Sequence, residues 1–245
     1  MAKGSKAGKY GSSGSGGGAV KKKASPLRNQ NSATGGGGDD GAKMAAERRR
    51  RGLADPLEQQ DYPPEERKAL YDYTYSSHIN WELGNKGYDN LDPTHKKMAE
   101  NLDKAIAKSG WNKDQDNTPF SRGCGAIVVG VPQNQKFSSQ QDLADYINKN
   151  CVGGTFTNVG YTSITHKDSV ASGFKSSQPN PIVVKYDKIG KGMKGAYVSG
   201  GKGKKPISYY GEYEYETLLQ RNVKTTPVKA YVKNGTVYVH VIAKP

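Results

Sequence analysis

Large apolar side chains are nearly absent from the first 55 residues and then recur with a period that changes along the chain. After Pro63-Pro64, the acidic pair Glu65 and Glu66 predicts a helix over residues 65–84, because proline suits the first turn and carboxylates suit the positive end of the helix dipole. Leu70, Tyr73, Ile79 and Leu83 recur close to helical spacing within it. A second helix is expected over residues 93–109, with Met98, Leu102, Ala105 and Ile106 on one face and a stop at Gly110. From Phe120 the pattern turns to β: "PFSRGCGAIVVGV", "YTSITHK", "PIVVKYDKI", "GAYVSG", "YEYETLLQR", "VKAYVKNG" and "TVYVHVIAK" read as strands, with "SSQQDLADYIN" a short capped helix. Asn234-Gly235 joins the last two strands as a hairpin turn. The Gly- and Ser-rich "HKDSVASGFKSSQPN" is expected to be a loop. Helices followed by mostly antiparallel strands define an α+β domain.

Composition divides the chain. Of the net charge of +14, residues 1–55 carry +8, from twelve Lys/Arg against four Asp/Glu, in Gly-rich and basic runs. Such a segment buries too little apolar surface to offset its ordering entropy, so residues 1–55 are expected to be a disordered Gly/Lys/Arg-rich tail and residues 56–245 the folded domain. The tail has two readings: salt-sensitive binding of nucleic acid or another polyanion, or a solvated extension that binds nothing. No run of 18 apolar residues exists, which argues against a membrane partner, and the N-terminus lacks the apolar core of a classical signal peptide. That fits a cytoplasmic protein, or one carried into a host cytoplasm by a phage particle or a secretion apparatus. Cys124 and Cys151 have neither metal-ligand spacing nor a second pair and are expected as free thiols. His78, His95, His166 and His240 are scattered, so no metal is expected.

"GKGMKG", Gly190 to Gly195, matches a dinucleotide-binding glycine pattern but leads into a β-like segment. It therefore lacks the helix N-terminus that would hold a pyrophosphate. More informative is "YYGEYEYETLLQRN", where Glu212, Glu214 and Glu216 alternate with Tyr213 and Tyr215. On a strand all three carboxylates would share one face. Such crowding is tolerable at a solvated edge, or useful beside a developing cation. Two more features precede it, Arg122-Gly123 and the hydroxyl-rich "GYTSIT". Singly, an Arg on a strand, a Ser/Thr strand and alternating Glu are ordinary surface features.

Together they resemble the Arg-Ser-Glu group of mono-ADP-ribosyltransferase exoenzymes and toxins, whose signature is an aromatic-Arg-Gly strand, a Ser-Thr-Ser strand and an ExE strand. "YTYSSHINWELG" is similar to that family's first helix, and "IVVKYDKIGKGMKGAYVSG" to the segment before ExE in its binary-toxin-like and phage-encoded members. The chain departs from the family in reading Ser163-Ile164-Thr165, and in placing Ser121 before Arg122 where the family often has Tyr. The resemblance implies an ADP-ribosyltransferase fold with two packed, mostly antiparallel sheets behind N-terminal helices. It implies NAD as substrate and a glycosyl transfer to a target protein without a metal. Glu216 would stabilise the ribosyl cation and grip the 2′-hydroxyl, Ser163 would orient it, and Glu214 would steer or deprotonate the acceptor, which ExE pairs with arginine. Arg122, with Gly123 beside it on the strand, and Lys175 would meet phosphates, and Phe174 the nicotinamide. Tyr209 or Tyr210, in a loop over residues 199–211, would contact the target. Glu212 and Glu214 offer the same spacing, but the apolar residues that follow the family's second Glu follow Glu216 here, favouring the 214/216 register.

Rival readings are transfer to a nucleic-acid base, transfer to water as an NAD glycohydrolase, and a non-catalytic basic virion or nucleic-acid-binding protein that keeps the fold.

Overall fold

The computed structural model describes residue 50 and residues 59–109, 111, 119–175, 179–201 and 203–245. The tail expected over residues 1–55 lies, residue 50 apart, outside the described residues. Helix α1 is Pro64–Tyr75, begun by proline and by Glu65 and Glu66 in its first turn. It stops at Ser76, whose backbone is extended, and α2 runs His78–Lys86 to Gly87. The single helix expected over residues 65–84 is thus two, because neither Ser76 nor Ser77 holds a helical turn against the tertiary contacts of its neighbours. Helix α3, Pro93–Lys108, is capped by Asp92, whose side chain accepts from the backbone N–H of Thr94 at 2.9 Å and of His95 at 3.0 Å.

The β half comprises β1 (Phe120–Gly125), α4 (Gln140–Asn150), β2 (Phe156–Asn158), β3 (Thr162–Thr165), α5 (Asp168–Lys175), β4 (Pro181–Ile189), β5 (Gly195–Tyr197), β6 (Glu216–Leu219), β7 (Val223–Lys233) and β8 (Thr236–Lys244). The sheet order is β2-β7-β8-β4-β1-β3-β6-β5, with β4 and β8 the parallel pair. The two sheets of the expected fold meet at one residue pair, Ser121 with Thr165, which joins β1 to β3. Each side of that seam has its own core. Val184, Val237, Val239 and Val241 pack with Leu143 and Ile147 of α4, while Leu70, Tyr73, Ile79 and Leu102 of the helices pack on Ala196 and Leu218. Buried alternation along β8, at Val237, Val239, Val241 and Ala243, is the strand period made visible.

Three other expectations are corrected. The strand from Pro119 ends at Gly125, and Ala126–Val129 turn as a 3-10 helix closed by Gly130. The expected loop over residues 166–180 contains α5, because Asp168 and Lys175 suit its two ends and Ala171 buries itself against β1. That contact fixes Gly123: a Cβ there would lie 1.7 Å from the Ala171 carbonyl oxygen. The segment from Tyr213 is strand only from Glu216, and Gly211–Glu214 form a 3-10 turn. The three glutamates therefore do not share one strand face.

Gly123→Ala is expected to push α5 off β1 at a cost of about 1–3 kcal/mol or more. Gly84, with nothing within 4 Å of its Cβ position, should tolerate the same change with little loss. Thermal unfolding of the two variants checks this.

Candidate active site

The seam between the two halves opens into a cleft of about 890 Å³ lined by, among others, Arg122, Ser163, Phe174, Tyr210, Glu214 and Glu216. The strand ends bring these residues together. Glu216 opens β6 opposite Thr165, while Ser163 lies one pleat along β3, opposite Leu218. Its Oγ donates to Glu216 Oε1 at 2.6 Å, and Ser208 Oγ reaches Oε2 at 3.5 Å. The Glu216 backbone N–H donates to Ser199 Oγ at 2.8 Å, so both the main chain and the carboxylate are held by hydroxyls. Glu216 is 5% exposed, and burial raises its pKa against the pull of the two serines. Among the described residues no cation pairs with it.

Glu214 ends the 3-10 turn, and its carbonyl accepts from Thr165 Oγ1 at 2.7 Å. Burial, and then the neighbouring Glu216 carboxylate, push its carboxyl up to about 8. Two adjacent carboxyls with no cation between them cannot both ionise freely near neutral pH. Glu212, in the rival register, is exposed on the turn.

Arg122 projects from β1 beside Cys124, Tyr186 and Tyr73. Burial opposes its charge, but those neighbours outweigh the effect and its pKa is raised. The guanidinium bonds Tyr186 but pairs with no carboxylate among the described residues, so its charge lines the cleft available to an anion. Cys124 beneath it is a buried free thiol, pushed up to about 11 by burial, and Cys151 is likewise free and buried.

Phe174 reaches the cleft from α5 and is 45% exposed, whereas Lys175, the last residue of that helix, is not among the lining residues. Tyr210 lines the cleft beside Glu214. Tyr209 does not: its ring packs edge-on against Tyr75 at 4.8 Å, Tyr210 at 5.1 Å and Tyr71 at 5.9 Å, and its N–H donates to Thr74 Oγ1 at 2.9 Å. It anchors the loop to α1.

Sequence reasoning assigned no role to Asn80, Ser199 or Ser208. Asn80 locks α2 to the start of β3: its Nδ2 donates to the Tyr161 carbonyl at 2.9 Å and to Tyr73 Oη at 3.0 Å, and its Oδ1 accepts from Tyr161 N at 2.7 Å. Gly160 is required beside it, since a Cβ would meet Asn80 Oδ1 at 2.4 Å. The Asn in "SSHINWELG" was the available signal. The serines gave none, because two hydroxyls in a Gly/Lys-rich loop look like any solvated turn. Glu82, Asp92 and His95, dispersed in sequence, bring ligand atoms within 4.8 Å of one another, but Lys86 lies 2.5 Å and His78 3.2 Å from Glu82, and His95 bonds Asp92. Each acidic group there already has a partner.

Comparison with known proteins follows the same lines. No curated protein matches the chain in sequence. Among solved structures, Plx2a, an ADP-ribosyltransferase toxin from Paenibacillus larvae, is similar with a TM-score of 0.59 and 26% identity, over 83% of this chain and 92% of that one. The C3 exoenzyme of Clostridium limosum has the same fold with a TM-score of 0.57 and 22% identity, over 84% and 91% of the two chains. C3stau2 from S. aureus, solved with NAD, gives a TM-score of 0.60 and 18% identity over 83% and 93%. The sequence model of the ADP-ribosyltransferase exoenzymes matches residues 47–243, most of the chain, and the chain therefore belongs to the ADP-ribosyltransferase exoenzyme family.

Proposed function

We propose that the chain cleaves the nicotinamide–ribose bond of NAD and transfers ADP-ribose to an arginine of a target protein, using Glu216, Ser163, Arg122 and Glu214. The observation that carries the reading is a buried Glu216 carboxylate, oriented by Ser163 at 2.6 Å and neutralised by no cation among the described residues. As the C1′–N bond breaks, its electron pair leaves with nicotinamide and positive charge develops on the ribose. A fixed carboxylate in a low-dielectric cleft stabilises that charge far more than water does, as in glycosidases. Arg122 meets the phosphates through its paired donors, with Gly123 letting the strand lie close under α5, and Lys175 adds charge at the helix end. Phe174 offers a ring to the nicotinamide.

The acceptor nitrogen then attacks C1′ and loses its proton to Glu214, whose position at the cleft wall and raised pKa suit a general base. A carboxylate at 214, rather than an amide, favours a guanidinium acceptor. Tyr210 sits beside it to contact the target, and Tyr209 sets the loop that carries Tyr210. Family membership and the NAD-containing neighbour of the same fold support NAD as the substrate. The family's description as exoenzymes supports action inside a cell reached by delivery. The catalytic domain is assigned to residues 56–245, with residues 1–55 as a basic tail available to a polyanion. No helix among the described residues is long and apolar enough to cross a membrane.

Labelled NAD incubated with the purified chain and either a host lysate or agmatine, a small guanidino compound, tests the reading. Glu216→Gln is expected to lower nicotinamide release and transfer together by at least ~10²-fold. Glu214→Gln is expected to lower transfer by about 10²–10⁴-fold while keeping cleavage. Equal loss of both activities in the two variants would contradict the division of roles. Mass mapping of the modified residue to any side chain other than arginine would overturn the acceptor, and nuclease-sensitive label would move it to a nucleic-acid base. Because the base form of Glu214 is required, transfer should rise as pH passes upward through about 8. Glu214→Gln should flatten that limb in a pH–rate profile.

A further inference from the structure

The turn between the two carboxylates is bent by a residue that does not favour the bend. Tyr215 has φ 48° and ψ 44°, the left-handed region that a Cβ disfavours. An extended residue there would have continued β6 and carried Glu214 along the strand. What holds the bend comes from three consecutive residues, the last of β3 and the two that follow it. Thr165 Oγ1 donates to the Glu214 carbonyl at 2.7 Å and accepts the Lys167 N–H at 3.1 Å. The Tyr215 ring meets His166 edge-on at 4.7 Å, and Lys167 Nζ lies 3.6 Å from the ring centroid. His166 stays neutral, its pKa lowered to about 4 by burial and then by Lys167, so the cation on this ring is the lysine. Its Nδ1 has no hydrogen-bond partner, so packing against the ring is what its side chain contributes.

β3 and the two residues after it therefore set both carboxylates: Ser163 orients Glu216, and residues 165–167 fix the turn that presents Glu214. We propose that Lys167 and Tyr215 are positioning residues that set the partition between transfer to an acceptor and hydrolysis, by clamping the turn so that Glu214 faces the cleft beside Glu216. This rests on the assignment of Glu214 as acceptor base. The titratable and charged groups about the turn are Glu212 on the turn itself, Glu216 on β6, Tyr210 on the preceding loop, His166 and Lys167 on the link, with Arg122 on the β1 wall of the cleft. Releasing the clamp lets water reach Glu214 and removes the burial that raises its pKa.

Full-length Lys167→Met, Lys167→Arg, Tyr215→Ser and Tyr215→Phe would be assayed for nicotinamide release without acceptor and for transfer to agmatine, from about pH 6 to about pH 10. In Lys167→Met and Tyr215→Ser, transfer is expected to fall at least ~10-fold further than release, with the acid limb displaced to lower pH by about one unit. Lys167→Arg and Tyr215→Phe keep a cation and a ring and should restore both. An unchanged partition and limb would overturn the proposal. So would parallel loss of the two activities, or failure of the conservative variants to rescue. An unmutated chain that releases nicotinamide but modifies neither agmatine nor lysate protein overturns the acceptor assignment and this proposal with it, a result visible before any variant is compared.

Discussion

A carboxylate taken out of water must be neutralised, protonated or opposed by something that arrives later. Glu216 takes the third course. Two serine hydroxyls hold its oxygens, but hydroxyls orient a carboxylate without cancelling its charge, and burial keeps it energetically unsatisfied. On the β1 side of the cleft, Arg122 is a cation with no carboxylate partner among the described residues. Pairing the two within the protein would have been the cheaper fold. Their separation leaves a cleft that wants a ligand with an anionic end and a centre able to become positive.

The fold exists to keep them apart and fixed. The two halves of the sheet share one paired ladder position, Ser121 with Thr165, so the site is a seam rather than a hole in a single core. Separate hydrophobic clusters stabilise each side. Polar bonds fix each side separately: Asn80 holds the Tyr161 backbone at the start of β3, and Ser121 Oγ donates to Asp168 Oδ1 at 2.9 Å on the β1 side. Tyr161 in turn donates to Asp103 at 2.8 Å, and Asp103 pairs with Arg221 at 2.5 Å just beyond β6, so the strand that carries Glu216 is braced at its far end. Close approach does the rest at Gly123, where helix backbone replaces a side chain.

Much of this was legible in the residues. The Asn234-Gly235 hairpin appears with φ of 50° and 68°, the alternation of β8 is unbroken, and Asp92 caps α3 where the proline-led helix was expected. Arg122, Ser163, Glu214 and Glu216 converge on one cleft although up to 94 residues of chain separate them. The misreadings share a cause. Ser76-Ser77 interrupts an apolar period that otherwise continues, and only packing decides that the chain turns there. Helix α5 has a loop composition, and its contact with Gly123 is invisible without β1 beside it. The alternating glutamates read as strand because period alone cannot report a left-handed Tyr215 held by residues from another strand's end. Local pattern found the elements, whereas the bends that shape the site depend on contacts remote in sequence.

We propose that one cleft holds NAD with its phosphates on Arg122 and its ribose against Glu216. A crystal structure of the Glu216→Gln variant with NAD tests it most directly, since the variant should leave the dinucleotide intact. The expected result is density in the cleft with a phosphate on the Arg122 guanidinium and the ribose 2′-hydroxyl within hydrogen-bonding reach of residue 216. NAD bound elsewhere, or lying in the cleft with its ribose turned away from residue 216, would rule that placement out.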